Sequence, residues 1–136
     1  MIKFPKSPRQ QNRALLDMAR GKPCLIRSPL CNNNPETTVA CHGSGVAKGK
    51  GMGYKISDYM SCHGCSDCNY YTDAYGGATA EEKRRAWELG HVRQIIEWNK
   101  IVNQKQGTAK EIAAAQWALD FLEKEKNGTT NPRTML

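Results

Sequence analysis

The clearest alternation of apolar and polar positions lies in the last third of the chain, and it predicts two long helices. Each begins with a threonine followed three residues later by a glutamate, the spacing of a capping box, as Thr79 with Glu82 and Thr108 with Glu111. Apolar residues then recur every three or four positions, as in amphipathic helices. They are Leu89, Val92, Ile95, Ile96, Trp98 and Val102 in the first helix, and Ile112, Ala115, Leu119 and Leu122 in the second. The polar stretch 103–107 predicts a turn, so we expect an antiparallel hairpin.

A shorter helix is predicted near the N-terminus. Ser7 has the character of an N-cap, Pro8 suits the first helical position, and Gln10 lies where it could close a capping box. Gly21 is a natural stop. The pattern therefore predicts a helix from about residue 8 to residue 20, within a basic N-terminal segment.

The middle of the chain is rich in turn-forming residues and predicts strands and loops. Cys24–Arg27 is too short for a helical pattern and suggests a strand fragment. Two β-prone runs, Thr37–Cys41 and Tyr54–Met60, predict two strands, and a short helix is expected around residues 69–75. The glycine-rich loop 43–53 lacks the Walker spacing, so we expect it to follow a phosphate backbone or to be a simple surface loop.

The net charge of +7 is unevenly distributed along the chain. Residues 1–57 carry ten Lys or Arg against two acidic residues, which gives +8, while residues 58–136 carry ten against eleven, which gives −1. A basic half of this kind favours a polyanionic partner such as nucleic acid, although it could simply maintain solubility. The candidate nucleic-acid contacts are Arg27, Lys48, Lys50 and Lys55.

All six cysteines lie between Cys24 and Cys68, which predicts a stapled core. The N-terminus has no apolar run of signal-peptide length and no stretch approaches the length of a membrane span, so we expect a cytoplasmic chain with reduced thiols and bound zinc rather than disulfides. Cys24 and Cys31 with Cys65 and Cys68 would close a tetrahedral structural site. The Cys-x-x-Cys spacing also occurs at Cys62 and Cys65, so spacing alone leaves the second pair open.

Several of these residues form a pattern that resembles a known family. Cys31-x2-Asn-Pro-Glu-Thr is followed by His42, then by Lys55-x2-Asp58 and by Cys65-x2-Cys68 with Asn at the next position. This pattern resembles a group of phage and prophage nucleases with a zinc-stapled HNH fold, also called ββα-metal or His-Me finger. The resemblance selects Cys65 and Cys68 as the second zinc pair and leaves Cys62 as an extra cysteine.

The resemblance covers about residues 14–75 and implies an α+β fold. We expect a basic N-terminal helix over residues 1–21 and a small zinc-stapled ββα-metal core over residues 22–77. A C-terminal helical hairpin over residues 78–127 and a flexible tail over residues 128–136 complete the expected organisation.

The resemblance also implies roles for individual side chains. His42 would be the general base that activates a water, and Asp58 would orient the His42 imidazole or its loop. Asn69 stands where the group usually has a histidine and would be a metal ligand. Independently of the resemblance, Asp73 lies four residues further along the same predicted helix, so the two oxygens would face one side and could share a catalytic Mg²⁺ or Mn²⁺. Cys41, directly before the histidine, is first expected to be a buried filler and alternatively a ligand of that ion.

These expectations define a function and its rivals. The main hypothesis is a phage or prophage HNH endonuclease, cytoplasmic in a bacterial host, that hydrolyses phosphodiester bonds of duplex or branched DNA with general-base and divalent-metal catalysis. One alternative is a zinc-dependent DNA-binding module without catalysis. Another is an adaptor whose hairpin docks on host or phage recombination or replication proteins. The sequence assigns no role to His63 and no catalytic role to His91.

Overall fold

The computed structural model describes residues 9–43 and 56–129 as a mixed α+β fold with a two-stranded sheet and four helices. The elements in chain order are α1 (Arg13–Asp17), a 3₁₀ turn (Pro35–Thr37), β1 (Val39–His42), β2 (Ser61–Gly64), α2 (Ser66–Asp73), α3 (Ala80–Gln104) and α4 (Ala109–Thr129). No helix in this described part of the chain is both long and apolar enough to cross a membrane.

The two strands pair antiparallel, with Ala40 opposite His63 and His42 opposite Ser61. Residues directly opposite each other in a sheet point to the same face, and neighbours along a strand point to opposite faces. His42 and His63 therefore share one face of the hairpin, and Cys41 lies on the other face. The predicted strand at Thr37–Cys41 is shifted, because Thr37 belongs to the 3₁₀ turn.

The predicted second strand at Tyr54–Met60 is wrong for the residues that can be described. Residues 56–60 form a turn, closed by the Met60 N–H on the Ser57 carbonyl at 3.0 Å, and β2 begins only at Ser61. A hydroxyl and a carboxylate in this turn bind the N-terminal segment instead of a neighbouring strand. The loop 43–53 is described only at Gly43, so its prediction lies outside the described residues.

The predicted N-terminal helix is also much shorter than expected. Helix α1 spans only Arg13–Asp17, and its N-cap is Asn12, whose side chain accepts from the Leu15 N–H at 3.0 Å. Gln10 and Asn12 bond to Ser57 and Asp58, which keeps this segment extended and delays the helix. The predicted N-cap at Ser7 and Pro8 lies outside the described residues.

Of the two remaining local predictions, the strand fragment is wrong and the short helix is shifted. Cys24–Arg27 forms no strand, although the Leu25 N–H donates to the His63 carbonyl at 2.8 Å along the edge of β2. The short helix begins at Ser66, three residues earlier than predicted, because the Cys65 side chain caps it.

The helical hairpin is confirmed. Thr79 and Glu82 form a reciprocal capping box at the start of α3, and Thr108 and Glu111 exchange the same two bonds at the start of α4. Lys105 ends α3 in the left-handed region. The hairpin packs on α1 around a buried cluster of Leu15, Met18, Tyr59, Trp98, Ala114, Ala115 and Ala118.

A second buried cluster lies beside the sheet and consists mainly of thiols. Its members are Cys24, Ile26, Cys41, Cys62, Cys65, Cys68 and Trp87. Helix α3 covers this cluster, and its Gly90 lies so close that an added Cβ would be 2.8 Å from Ile26 and 3.0 Å from the Cys62 sulfur. Trp87 is buried in this cluster, and Trp98 is buried in the other.

Candidate metal centre and histidine–aspartate pair

Four cysteine sulfurs come together at one end of the sheet. The Sγ atoms of Cys24, Cys31, Cys65 and Cys68 all lie within 4.8 Å of one another, and those of Cys31 and Cys65 are 3.9 Å apart. Zn–S bonds of about 2.3 Å in a tetrahedron require sulfurs about 3.8 Å apart. The donor set and spacing therefore fit a zinc ion, and Cys62, the alternative from spacing, is not part of the group.

Local backbone geometry aims N–H groups at these sulfurs. The Cys65 sulfur accepts from the amides of Asn32 and Cys68, each at 3.4 Å. The Cys68 sulfur accepts from the Ser28 amide at 3.3 Å and lies 3.1 Å from the Ser28 hydroxyl. Donors of this kind stabilise a thiolate, which is the form that binds zinc.

The thiols of the cluster differ in how readily they lose a proton. Burial raises the pKa of the Cys65 thiol, but the amides of Asn32 and Cys68 outweigh it, and the pKa falls to about 7. Burial raises the pKa of both Cys31 and Cys68 above the ordinary thiol value. Of these three thiols, Cys65 loses its proton most readily, and a bound zinc ion would favour the thiolate form of its ligands.

Cys41 and Cys62 lie opposite each other in the sheet and are both fully buried. Burial raises the pKa of Cys41 to about 12 and that of Cys62 well above its usual value, so both remain neutral thiols. The sulfur of Cys41 lies 3.7 Å from the Gly64 carbonyl, on the face of the sheet away from His42. This geometry favours the filler interpretation of Cys41 over a role as a ligand near His42.

The end of β1 carries the second cluster of polar side chains. His42 Nε2 lies 2.8 Å from Asp58 Oδ1, with the histidine side chain 34% exposed and the aspartate 2% exposed. The other carboxylate oxygen of Asp58 accepts from the Asn12 amide at 2.7 Å. A carboxylate only accepts, so His42 Nε2 is the donor in this contact, and a neutral imidazole in this orientation would present its lone pair on Nδ1.

Neighbouring contacts fix the backbone on both sides of this histidine. The Trp87 indole N–H donates to the Cys41 carbonyl at 2.9 Å, and the Gly43 amide donates to the Met60 carbonyl at 2.9 Å. A Cβ on Gly43 would lie 3.1 Å from the Trp87 ring, so a larger residue here would require a small shift of that ring. The imidazole is therefore presented from a rigid strand end.

The predicted ligands of a second ion lie on α2. Asn69 and Asp73 are both exposed and are four residues apart, so they share one face of this helix. The four cysteines are the one group of three or more His, Cys, Asp or Glu side chains in the described ranges that could hold an ion, and Asp73 belongs to no such group.

The predicted nucleic-acid contacts are only partly described. Arg27 is exposed, has a positive φ of 55° and donates from Nε to the Cys24 carbonyl at 3.4 Å. Lys48, Lys50 and Lys55 lie outside the described residues. Arg27 therefore lies at the surface and contacts the backbone of Cys24, one of the four grouped cysteines.

The other two histidines occupy the interior. His63 is 7% exposed, and burial followed by the charge of Lys22 lowers its pKa to about 4. His91 stacks on Trp87 with ring centroids 4.7 Å apart, and its Nε2 lies 3.0 Å from the Tyr59 carbonyl. Both side chains are therefore buried, unlike the partly exposed imidazole of His42.

Sequence patterns missed the residues that hold Asp58. Gln10 accepts from the Asp58 amide at 2.9 Å through its carbonyl, and Asn12 donates to the carboxylate through its own amide. Such backbone contacts leave no side-chain signature. By contrast, the sequence does predict the turn at Ser28, whose amide donates to the Cys68 sulfur, since Ser-Pro-Leu-Cys is a typical turn sequence.

The fold and these sites define a small α+β protein with a β-hairpin followed by a helix, a group of four cysteines that could hold a metal ion, and a histidine–aspartate pair. A family model described as "Putative nuclease YbcO" matches residues 13–103, about two thirds of the chain. The chain therefore belongs to this nuclease family. Helix α4 lies beyond the matched range.

A solved structure described as that of "a putative bacteriophage protein from Escherichia coli str. K-12 substr. MG1655" is similar to this chain. The two are 28% identical, the match covers 61% of this chain and 93% of that chain, and the TM-score is 0.50. No curated protein matches the sequence.

Proposed function

We propose that this protein is an HNH-type endonuclease that hydrolyses phosphodiester bonds of DNA. The observation that carries the proposal is the 2.8 Å contact between His42 Nε2 and Asp58 Oδ1 at an exposed strand end. The order β1, β2, α2 is the order that a ββα-metal core requires. Membership of a nuclease family and similarity to a protein described as a bacteriophage protein support the same class.

In this proposal His42 is the general base. Its Nδ1 lone pair takes a proton from the attacking water, and Asp58 holds the Nε2–H and stabilises the imidazolium that forms. The carboxylate of Asp58 is itself fixed by the Asn12 amide, so the imidazole is oriented before substrate binds. A positioned general base contributes about 10²–10⁴-fold to the rate.

Asn69 and Asp73 would supply oxygen ligands to a catalytic Mg²⁺ or Mn²⁺. Such an ion stabilises charge on the phosphorane and on the leaving oxygen. Mg²⁺ is commonly bound through only one or two carboxylates, with waters and substrate phosphates as the other ligands, so two exposed oxygen donors on one helix face fit it. The four-cysteine site would bind structural zinc, because four thiolates leave no open coordination position.

The substrate side of the proposal rests on charge. Residues 1–57 carry a net +8, and Arg27 is exposed beside the zinc loop. Arg27, Lys48, Lys50 and Lys55 would contact phosphates of duplex or branched DNA and orient the strand without reading its sequence.

A zinc-dependent DNA-binding module is the second candidate. It is favoured by Asn69 in place of the usual histidine and by the separation of Asp73 from any group of three or more potential ligands in the described part of the chain. Such a module would bind duplex DNA with a steep salt dependence and no turnover. Its hairpin would then be free to recruit recombination or replication proteins of the phage or host.

Cleavage assays separate the two candidates. Zinc-loaded protein is incubated with supercoiled plasmid, linear duplex and a four-way junction in Mg²⁺ or Mn²⁺. We expect His42→Ala to lower cleavage at least about 100-fold while zinc content and DNA binding are retained. His91→Gln is the matched histidine control and should retain cleavage. Cleavage that survives His42→Ala would remove the assigned base, and binding without cleavage under all conditions would favour the module.

A further inference from the structure

The segment that leads into α1 lies against the histidine–aspartate pair. The Gln10 carbonyl accepts from the Asp58 amide at 2.9 Å, and the Asn12 amide donates to Asp58 Oδ2 at 2.7 Å. The other oxygen of the same carboxylate, Oδ1, lies 2.8 Å from His42 Nε2. Asp58 therefore joins this N-terminal segment directly to the proposed general base.

Exposure alternates along this segment. Gln10 and Asn12 are half-buried, whereas Arg9, Gln11 and Arg13 are exposed. Asn12 has an extended backbone, with φ −150° and ψ 99°, and neighbouring side chains of an extended chain point to opposite sides. The two arginines therefore lie on the outer side of the segment, and each is next to a residue whose backbone is bonded to Asp58.

The contacts of both guanidinium groups are local and exposed. Arg9 Nη2 donates to the neutral side chain of Gln11 at 3.3 Å, and Arg13 Nε lies 3.3 Å from Asp17 Oδ1 within α1. The side chains of Arg13 and Asp17 are 84% and 54% exposed. Exposed ion pairs of this kind contribute little to stability, so Arg13 can exchange Asp17 for another anion at small cost.

The charge of this region favours an anionic ligand. Residues 9–22 contain four Lys or Arg against one acidic residue, which gives +3. The carboxylate of Asp58 is 2% exposed, and its two oxygens are bonded to His42 and Asn12. A guanidinium group presents its donors in a planar fork that matches the oxygens of a phosphate. Phosphate is therefore the anion that these arginines fit.

We propose that Arg9 and Arg13 bind phosphates of the DNA strand next to the phosphodiester that is attacked at His42. This inference rests on the proposed function. Four residue steps place the Cα atoms of the two arginines at most about 14 Å apart, and a DNA strand rises about 3.4 Å per nucleotide. The two side chains can therefore contact different phosphates of one strand.

These contacts would position the substrate rather than take part in the chemistry. Asn12 and Arg13 are consecutive, so a strand held by Arg13 is placed relative to the same carboxylate that orients His42. Phosphates that do not react are bound equally well in the ground state and in the transition state. Losing such a contact raises KM and leaves kcat almost unchanged.

The test measures binding of a labelled short DNA duplex to the zinc-loaded full chain by fluorescence anisotropy, at a series of salt concentrations and without Mg²⁺ or Mn²⁺. Arg9→Gln and Arg13→Gln should each reduce the slope of log K against log salt by about 1 and weaken binding about five- to tenfold at about 0.1 M salt. Arg13→Lys keeps the charge and should keep the slope. Arg85→Gln, at an exposed position of α3, is the matched control and should change neither quantity.

Asp17→Asn separates phosphate binding from a structural role of Arg13. It breaks the same ion pair as Arg13→Gln but keeps the guanidinium group, so DNA binding should be retained or become tighter. Equal weakening by Asp17→Asn and Arg13→Gln would show that Arg13 supports α1, and it would overturn the contact assigned to this residue. Zinc content and melting temperature report folding in each variant.

Cleavage kinetics separate this inference from the nuclease proposal. Replacing both arginines by glutamine should raise KM at least about tenfold and leave kcat within about twofold. A reduced salt slope in the arginine variants of a protein that does not cleave DNA would support the phosphate contacts and contradict the nuclease. Cleavage with unchanged KM and salt slope in both arginine variants, or an equal loss of slope in Arg85→Gln, would overturn the contacts and leave the nuclease proposal standing.

Discussion

The two buried clusters of this protein are built from different chemistry. The helical cluster around Trp98, Leu15 and Ala115 consists mainly of aliphatic and aromatic side chains from α1, α3 and α4. The cysteine cluster contains only Ile26 and Trp87 as buried members other than cysteine. Aliphatic and aromatic burial stabilises the first cluster, whereas the second lies beside four cysteines that could hold a metal ion. The difference teaches that one small fold can combine two sources of stability.

The candidate active site lies where these two regions meet. His42 ends the strand that contributes Cys41 to the cysteine cluster, while Asp58 directly precedes Tyr59 of the helical cluster. Asn12, which binds Asp58, also caps the helix that carries Leu15. The contact between His42 and Asp58 therefore depends on the relative position of the cysteine cluster and the helical cluster.

Loss of the metal should have the largest effect. Cys68→Ser removes one of four thiolates, and structural zinc sites contribute about 10–16 kcal/mol of apparent binding energy in isolated zinc fingers. We expect loss of tightly bound zinc, loss of amide protection in β1, β2 and α2, and retained protection in α3 and α4. Metal analysis and hydrogen exchange measure these effects.

Cys62→Ala is the matched control, because this buried cysteine lies outside the four-sulfur group. It should keep one zinc per chain. If Cys68→Ser also keeps its zinc, or if both regions unfold together, the distinction between the two clusters is wrong.

Trp98→Ala should damage the other region. The side chain is 1% exposed and central to the helical cluster, so its removal should lower the free energy of unfolding by about 3–5 kcal/mol. Zinc content of the folded protein should not change. Chemical denaturation and metal analysis check both, and exposed Leu89→Ala on the same helix is the control, expected to cost far less. Loss of zinc in folded Trp98→Ala would show that the clusters are not independent.

The helical cluster and the cysteine group also differ in how they could be predicted from the sequence. Helical periodicity and the capping pairs at Thr79 and Thr108 are local signals, and the hairpin was predicted from them. The four-cysteine group joins distant parts of the chain, but the chain has only six cysteines from which to choose the ligands. The resemblance selects Cys68 rather than Cys62 as the partner of Cys65. The choice of Cys68 agrees with the sulfurs that the structure brings together.

Elements that depend on backbone pairing between distant segments were predicted poorly. The helix predicted over residues 8–20 begins only at Arg13, since residues 10–12 bond to residues 57–58 across more than forty positions. The end of the strand predicted to reach Met60 is a turn, because residues 57 and 58 bond to residues 10–12 instead of to a neighbouring strand. Local propensity favoured helix and strand there, and tertiary hydrogen bonds outweighed it.

Asp58→Asn tests the link between the two regions. The amide can present either an N–H or its oxygen to His42 Nε2, which would populate the tautomer with its proton on Nδ1 and weaken the proposed base. We expect cleavage to fall about 10–100-fold, the usual effect of losing a residue that orients another. Cleavage kinetics measure this, with zinc content unchanged.

Asp120→Asn, at an exposed position of α4, is the control and should cleave normally. If Asp58→Asn cleaves as well as the unmodified protein, the orienting role of this carboxylate is wrong. If it loses zinc instead, Asp58 acts on the fold of the cysteine region rather than on His42.

The smallest expected effect concerns the cap of the second hairpin helix. Thr108→Ala removes the hydroxyl that accepts from the Glu111 amide at 3.1 Å, and loss of an N-cap costs about 1 kcal/mol. Thr108→Ser keeps the hydroxyl and should be close to neutral. Because α4 packs on α3 and α1 and lies beyond the range matched by the nuclease family, the loss should appear in chemical denaturation while zinc content and cleavage stay unchanged. A fall in zinc content in Thr108→Ala alone would mean that the hairpin supports the metal site directly.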